Sequence, residues 1–155
     1  MLKNKFLSFI LFFIITFSAS FIGGLTTITN KEPWYSELIK SNYNPPDWIF
    51  APVWTTLYLM MTLAIWFFWH SKKRDMNTVY IYFIHIAFNT TWSVVFFGFH
   101  KIFLAFVVLI ILILLIMILI IRFKRVNFVS YYLMIPYLLW CCYALFLNLN
   151  ILLLN

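Results

Sequence analysis

The chain has 155 residues, 65% of them hydrophobic and only 10% charged, where soluble domains run at roughly half and a quarter. That balance excludes a water-soluble globular protein and leaves no polar block long enough for a second domain, so one all-α integral membrane domain over residues 1–155 is expected. A net charge of +7 does not indicate nucleic acid as a partner, because the eleven Lys and Arg stand in short clusters between apolar runs, where they orient a protein in a bilayer.

Five apolar segments follow one another, at about 6–28, 48–69, 78–99, 102–121 and 128–154. Each has roughly 20 or more residues, enough at about 1.5 Å per residue to cross a hydrocarbon core of about 30 Å. None alternates as a barrel strand does, and backbone groups in lipid must be satisfied within the segment, so a five-transmembrane-helix bundle is predicted. The first segment has a competing reading as a secretory signal, since Lys3 and Lys5 precede an apolar run that reaches Ser18, Ala19 and Ser20. Its apolar character continues through Phe21, Ile22, Leu25 and Ile28 to a full spanning length.

The loop at 29–47 is the long one, and it is rich in rings. Pro33 opens a short helix in which Trp34, Tyr35, Leu38 and Ile39 share a face, a lid over the bundle or an interfacial aromatic anchor. Asn44-Pro45-Pro46 then forces extended backbone, Asp47 supplies an N-cap, and Pro52 loosens the first turn of the helix that follows. On that second segment Trp54 and Tyr58 lie one turn apart below Ala51, a face with room for a ring.

The third segment carries His85, Asn89, Trp92 and Ser93 on one side, at depths where polar groups usually face the bundle interior. Interhelical hydrogen bonding accounts for them equally well, and a lone His85 is a weak case for haem ligation. On the fifth, Trp140, Ala144 and Asn148 recur every fourth residue, a stripe that serves either packing or a pocket. Cys141 and Cys142 are neighbours in an apolar run without further ligands, so no metal is expected.

Catalytic constellations of the familiar kinds are missing. Glu32, Glu37, Asp47 and Asp75 all fall in loops or at helix ends, no Gly-rich phosphate loop exists, and no nucleophile sits beside a base. Hydrolysis and phosphoryl transfer are excluded on that ground, and the lack of buried charges argues against ion-coupled transport. The basic residues Lys3, Lys5, Lys72, Lys73, Arg74, Arg122, Lys124 and Arg125 fall on one side of a five-helix chain, against Lys31, Lys40 and Lys101 on the other, which predicts a cytoplasmic amino terminus.

Three stretches, WYSELIKSNYNPPDWIFAPVWTTLYLMM, FNTTWSVVFFGFHK and PYLLWCCYALFLN, closely resemble the TspO/MBR family of tryptophan-rich sensory proteins, relatives of the mitochondrial translocator protein, in order and with matching spacing. The resemblance implies a five-helix bundle whose pocket opens toward the first loop and is closed by it. The implied ligands are porphyrins such as protoporphyrin IX, with sterols in some members and benzodiazepine-type drugs.

Carried over by motif, the pocket-lining positions are Tyr35, Trp54, Asn89, Phe96, Trp140 and Ala144. The residues themselves add Ala51, Tyr58 and His85 to the expected ligand-binding set. The resemblance further associates Trp54 and Trp140 with light- and oxygen-dependent porphyrin breakdown, which makes them the candidate catalytic pair.

The chain departs from the pattern at Lys40-Ser41, where the family has Lys-Pro, and at His85, where a Gln is common; the sterol-linked sequence is missing from LNLNILLLN. The expected function is a tetrapyrrole-binding membrane sensor or regulator needing no cofactor, with porphyrin as ligand or substrate. The alternatives are a porphyrin-degrading enzyme and a porphyrin or small-lipid transporter. A homodimer in a bacterial cell membrane is the implied setting, although Ala87 and Thr91 are the only small-residue pair on the third segment to support an interface.

Overall fold

The computed structural model describes residues 4–155, so the Lys3 contribution to the charge pattern lies outside the described residues. The helices are α1 (Lys5–Asn30), α2 (Trp34–Glu37), α3 (Phe50–Trp69), α4 (Met76–Ser93), α5 (Ile102–Lys124) and α6 (Phe128–Leu154), with no strand among the described residues. A 3-10 turn, Asp47–Ile49, leads into α3, and a π-helical turn, Val94–Gly98, extends α4. Counted with those turns, five stretches are long and apolar enough to cross a membrane: Lys5–Asn30, Asp47–Trp69, Met76–Gly98, Ile102–Lys124 and Phe128–Leu154.

Local chemistry sets the ends of these helices. The Asn4 side chain accepts from the backbone N–H of Phe6 and of Leu7, Asp75 accepts from that of Thr78, and Asn127 from that of Ser130, each satisfying donors that the first turn leaves orphaned. α5 runs past the predicted end at 121 to Lys124, because Arg122 and Lys124 suit the negative end of the helix dipole. α6 continues through Pro136.

Two expectations for the first loop are corrected. Asp47 does not cap the second membrane helix: its carboxylate accepts from Lys31 Nζ at the end of α1, and the helix instead begins with the 3-10 turn. A charged partner at hydrogen-bond distance outcompetes a backbone N–H for that carboxylate. The short helix stops at Glu37, because Leu38 is already extended, so Ile39 does not share its face and is exposed.

The long helices close a ring. α1 packs on α3 and α4, α3 on α6, α6 on α5, and α5 on α4. Polar bonds bolt neighbouring helices together at several depths: Thr16 and Tyr82 hydroxyls at 2.6 Å join α1 to α4, and Ser130 Oγ donates to Ala64 O at 2.7 Å between α6 and α3. At the end away from the first loop, Ser8 Oγ meets His70 Nε2 at 2.8 Å and Trp66 Nε1 donates to Lys5 O.

The core fills the half of the ring farther from the first loop, where Met61, Ile65, Phe68, Tyr82, Leu112, Ile116 and Phe123 are wholly buried. In lipid this packing stabilises through close contact more than through exclusion of water. α1 approaches α4 closely at Gly23, where an added Cβ would stand 3.0 Å from Ser93 Oγ and the serine would have to give way by a few tenths of an ångström. Phe6, Phe21, Ile28, Phe103 and Leu139 point outward, as the lipid-facing side of a membrane bundle requires.

Candidate functional site

Between that core and the first loop the ring encloses a cavity of about 350 Å³, within the range of small-molecule sites. Small residues of α1, Gly23, Gly24 and Thr27, make one wall, and α3 contributes Phe50, Ala51, Trp54 and Tyr58. From α4 and its π-helical turn come Asn89, Trp92, Phe96 and Phe97, and from α6 come Ala144, Leu147, Asn148 and Ile151. Lys31, Tyr35, Asn44 and Asp47 roof it.

The aromatic rings form a connected surface. Trp54 lies 5.7 Å from Tyr58 and 6.5 Å from Trp92, the two indoles inclined by only 27°; Phe96 then stacks on Trp92 at 5.5 Å and 21°. Tyr35 of the short helix meets Phe96 and Phe97 at 6.2 and 5.6 Å, and Trp34 stacks on His100 at 4.3 Å. The lid is thereby seated by ring contacts on the turn between α4 and α5.

At the cavity floor one amide ties three helices. Tyr58 donates its hydroxyl to Asn89 Oδ1 at 2.6 Å, and Asn89 Nδ2 donates to the Tyr137 hydroxyl at 3.0 Å. At the roof, the bond to Asp47 raises the pKa of Lys31 although partial burial opposes it. Burial raises the Tyr35 phenol in turn, so that ring stays neutral. Lys40 donates to Tyr35 O, with its ammonium 4.0 Å over the same ring.

Of the residues expected to contact a ligand, Tyr35, Ala51, Trp54, Tyr58, Asn89, Phe96 and Ala144 line this one cavity, and His85 and Trp140 do not. His85 lies beneath the floor, wholly buried, with rings of Tyr82 and Tyr137 at 5.0 and 5.5 Å. Its Nδ1 faces Tyr82 O at 2.9 Å, and since a carbonyl only accepts, Nδ1 carries the proton and Nε2 is the acceptor. Trp140 stands one row back, edge-on to the lining Phe50 at 6.0 Å. The two indoles therefore do not face each other across the space: Trp54 is in its wall, and Trp140 is outside the lining.

Sequence reasoning placed Trp92 and Asn148 on the correct faces, next to Asn89 and Ala144, without assigning them to the site. Helical spacing alone carried that signal. The α1 wall had a fainter one, the adjacent glycines Gly23-Gly24 in an apolar run, and Phe50 had none.

A ring of membrane-length helices around an aromatic cavity, roofed by the first loop, defines a multi-pass integral membrane protein with an internal cavity. The chain belongs to the TspO/MBR family, whose family model matches residues 11–154. It is 33% identical to the tryptophan-rich protein TspO of Chlorobaculum tepidum over 146 residues, covering 89% of each chain. It is 32% identical to the tryptophan-rich sensory protein of Cereibacter sphaeroides, over 91% of this chain and 90% of that one. With the translocator protein of Homo sapiens it shares 28% identity over 83% of this chain and 78% of the other.

Proposed function

We propose that the chain is a membrane sensor or regulator that binds a flat tetrapyrrole such as protoporphyrin IX between its helices, under the first loop. The observation that carries this reading is the run of nearly parallel rings, Trp54 of α3 with Trp92 and Phe96 of α4 and its π-helical turn, in a cavity whose lining is mostly apolar. Such a surface binds a planar macrocycle by stacking and apolar burial, with few directed polar contacts. Names borne by the relatives, sensory protein and translocator protein, agree with a ligand-responsive membrane component.

The setting we assign is a bacterial cell membrane with the amino terminus in the cytoplasm. Lys5, Lys72, Lys73, Arg74, Arg122, Lys124 and Arg125 gather at the end of the bundle opposite the lid, and short cytoplasmic segments are the ones enriched in Lys and Arg. The lid then faces the outside.

Titration of protoporphyrin IX into the purified chain, followed by its absorption band, tests the binding reading. Trp54→Ala is expected to weaken binding by about tenfold, the loss of one stacked ring, and Trp140→Ala to weaken it less, because Trp140 does not line the cavity. An absence of binding by the parent chain, or equal binding by the Trp54 variant, overturns the reading.

A further inference from the structure

At the end of the bundle away from the lid, the turn between α3 and α4, residues 70–75, meets the turn between α5 and α6, residues 125–127. Asn127 Nδ2 donates to Ser71 Oγ at 3.0 Å, and Arg122 in the last turn of α5 reaches Asp75 at 3.7 Å and the Thr78 hydroxyl at 3.4 Å. The turns are thereby held as one surface, which carries Lys72, Lys73 and Arg74 on one side and Arg122, Lys124 and Arg125 on the other. Of the four acidic residues in the chain only Asp75 lies there, since Glu32, Glu37 and Asp47 belong to the lid.

Some of these cations are occupied and some are free. Arg122 answers Asp75, Arg74 donates to Trp69 O at 2.9 Å with its guanidinium 4.8 Å over that indole, and Lys124 lies 5.6 Å over the Tyr131 ring. Lys72, Lys73 and Arg125 are exposed and make no hydrogen bond, ion pair or ring contact among the described residues. Setting the orientation of the chain requires only that positive charge lie on this side; it does not require distant turns to be tied into one surface with cations left unpaired. Like charges gathered in this way repel, and at a membrane surface the anions held at a fixed depth are lipid headgroups. Just inside the turns, Met76 and Tyr80 of α4 and Phe128 and Tyr132 of α6 are exposed, a belt of the kind that sits at headgroup depth.

We propose that this surface selects anionic phospholipids from the surrounding leaflet, Lys72, Lys73 and Arg125 supplying the free charge and the exposed rings lying beside the acyl chains. A zwitterionic lipid offers the same phosphate but carries its own ammonium group, so the surface discriminates by the net charge of the headgroup. Both turns contribute, because the Asn127 to Ser71 bond keeps Arg125 on the surface that bears the lysines. Neither the cavity nor the lid takes part, and the selection stands or falls apart from the tetrapyrrole reading.

The full chain is held on an affinity resin in neutral-detergent micelles containing equal amounts of phosphatidylglycerol and phosphatidylcholine with the same acyl chains. Mass spectrometry then counts the lipid that stays bound through washing and is eluted with the protein. The parent should retain phosphatidylglycerol over phosphatidylcholine by about fivefold or more, the preference that one Lys or Arg near an anionic headgroup layer confers. Lys72→Gln with Lys73→Gln should lower that ratio by about fivefold or more, and Arg125→Gln alone should lower it as well. Lys101→Glu, which removes as much net charge as the double variant but at the lid end, should leave the ratio unchanged.

Equal retention of the two lipids by the parent overturns the proposal, and so does a ratio that survives in the double variant. A ratio that falls as far in Lys101→Glu makes net charge the cause and removes the surface. If Arg125→Gln changes nothing, the turns do not act together and the shared surface is wrong. Inorganic phosphate added to the micelles should leave the retained phosphatidylglycerol in place; phosphate that displaces it from the parent assigns the surface to a free anion and overturns the choice of a lipid. The substituted side chains are exposed, and circular dichroism matching the parent's confirms that each variant is folded.

Discussion

Asn89 shows how much one side chain can carry in a membrane bundle. Its oxygen accepts from Tyr58 of α3 and its nitrogen donates to Tyr137 of α6, while its own backbone belongs to α4. Replacing it with Leu strands two buried hydroxyls in apolar surroundings, each having lost its partner. Asn89→Leu is expected to lower stability by about 2 kcal/mol, toward the upper end for polar bonds between membrane helices, and Tyr58→Phe by less, because one amide–tyrosine bond survives. Unfolding in sodium dodecyl sulfate, followed by circular dichroism, measures both; an unchanged midpoint for Asn89→Leu would deny the amide its structural part. The sequence showed that Asn89 faces the interior, but which tyrosines answer it depends on the rotation of two other helices.

The lid is the element whose behaviour the sequence described least. Its residues were legible as rings and prolines, yet its fastenings come from far along the chain. Asn155 accepts from Ile39 N at 3.0 Å and donates to Ile39 O at 3.1 Å, pairing with that backbone as a neighbouring strand would, and Tyr143 donates to Tyr43 O at 2.6 Å. Lys31 with Asp47 and Lys40 with Tyr35 add two ties at the roof. The double variant Asn155→Ala, Tyr143→Phe should therefore speed amide hydrogen exchange at residues 39–43 and leave the buried stretches of α3 and α6 as protected as before. Exchange that stays the same in the loop would mean that those distant bonds do not hold it.

At the scale of the whole molecule the ring of helices gives its two ends different charges and different tasks. The end opposite the lid carries the cluster Lys72, Lys73, Arg74, Arg122, Lys124 and Arg125, and the lid end carries Lys31, Lys40 and Lys101, of which the first two are already engaged with Asp47 and Tyr35. In cells, with Cys141 and Cys142 replaced by Ala, Lys101→Cys should react with a membrane-impermeant maleimide from outside and Lys73→Cys only after permeabilisation. The reverse pattern would invert the orientation proposed above, and with it the side from which the lid is reached.

The sequence by itself determined the number of membrane-length helices, the asymmetry of charge between their ends, and the faces bearing Trp54, Asn89, Trp92 and Ala144, because length, composition and the helical repeat are properties of each segment alone. Tertiary structure alone decided that Asp47 answers Lys31 instead of capping a helix, that Trp140 stays outside the cavity lining, and that His85 lies under the floor. Those outcomes follow from how far each helix is turned about its own axis once its neighbours have packed against it, and local periodicity carries no record of that rotation.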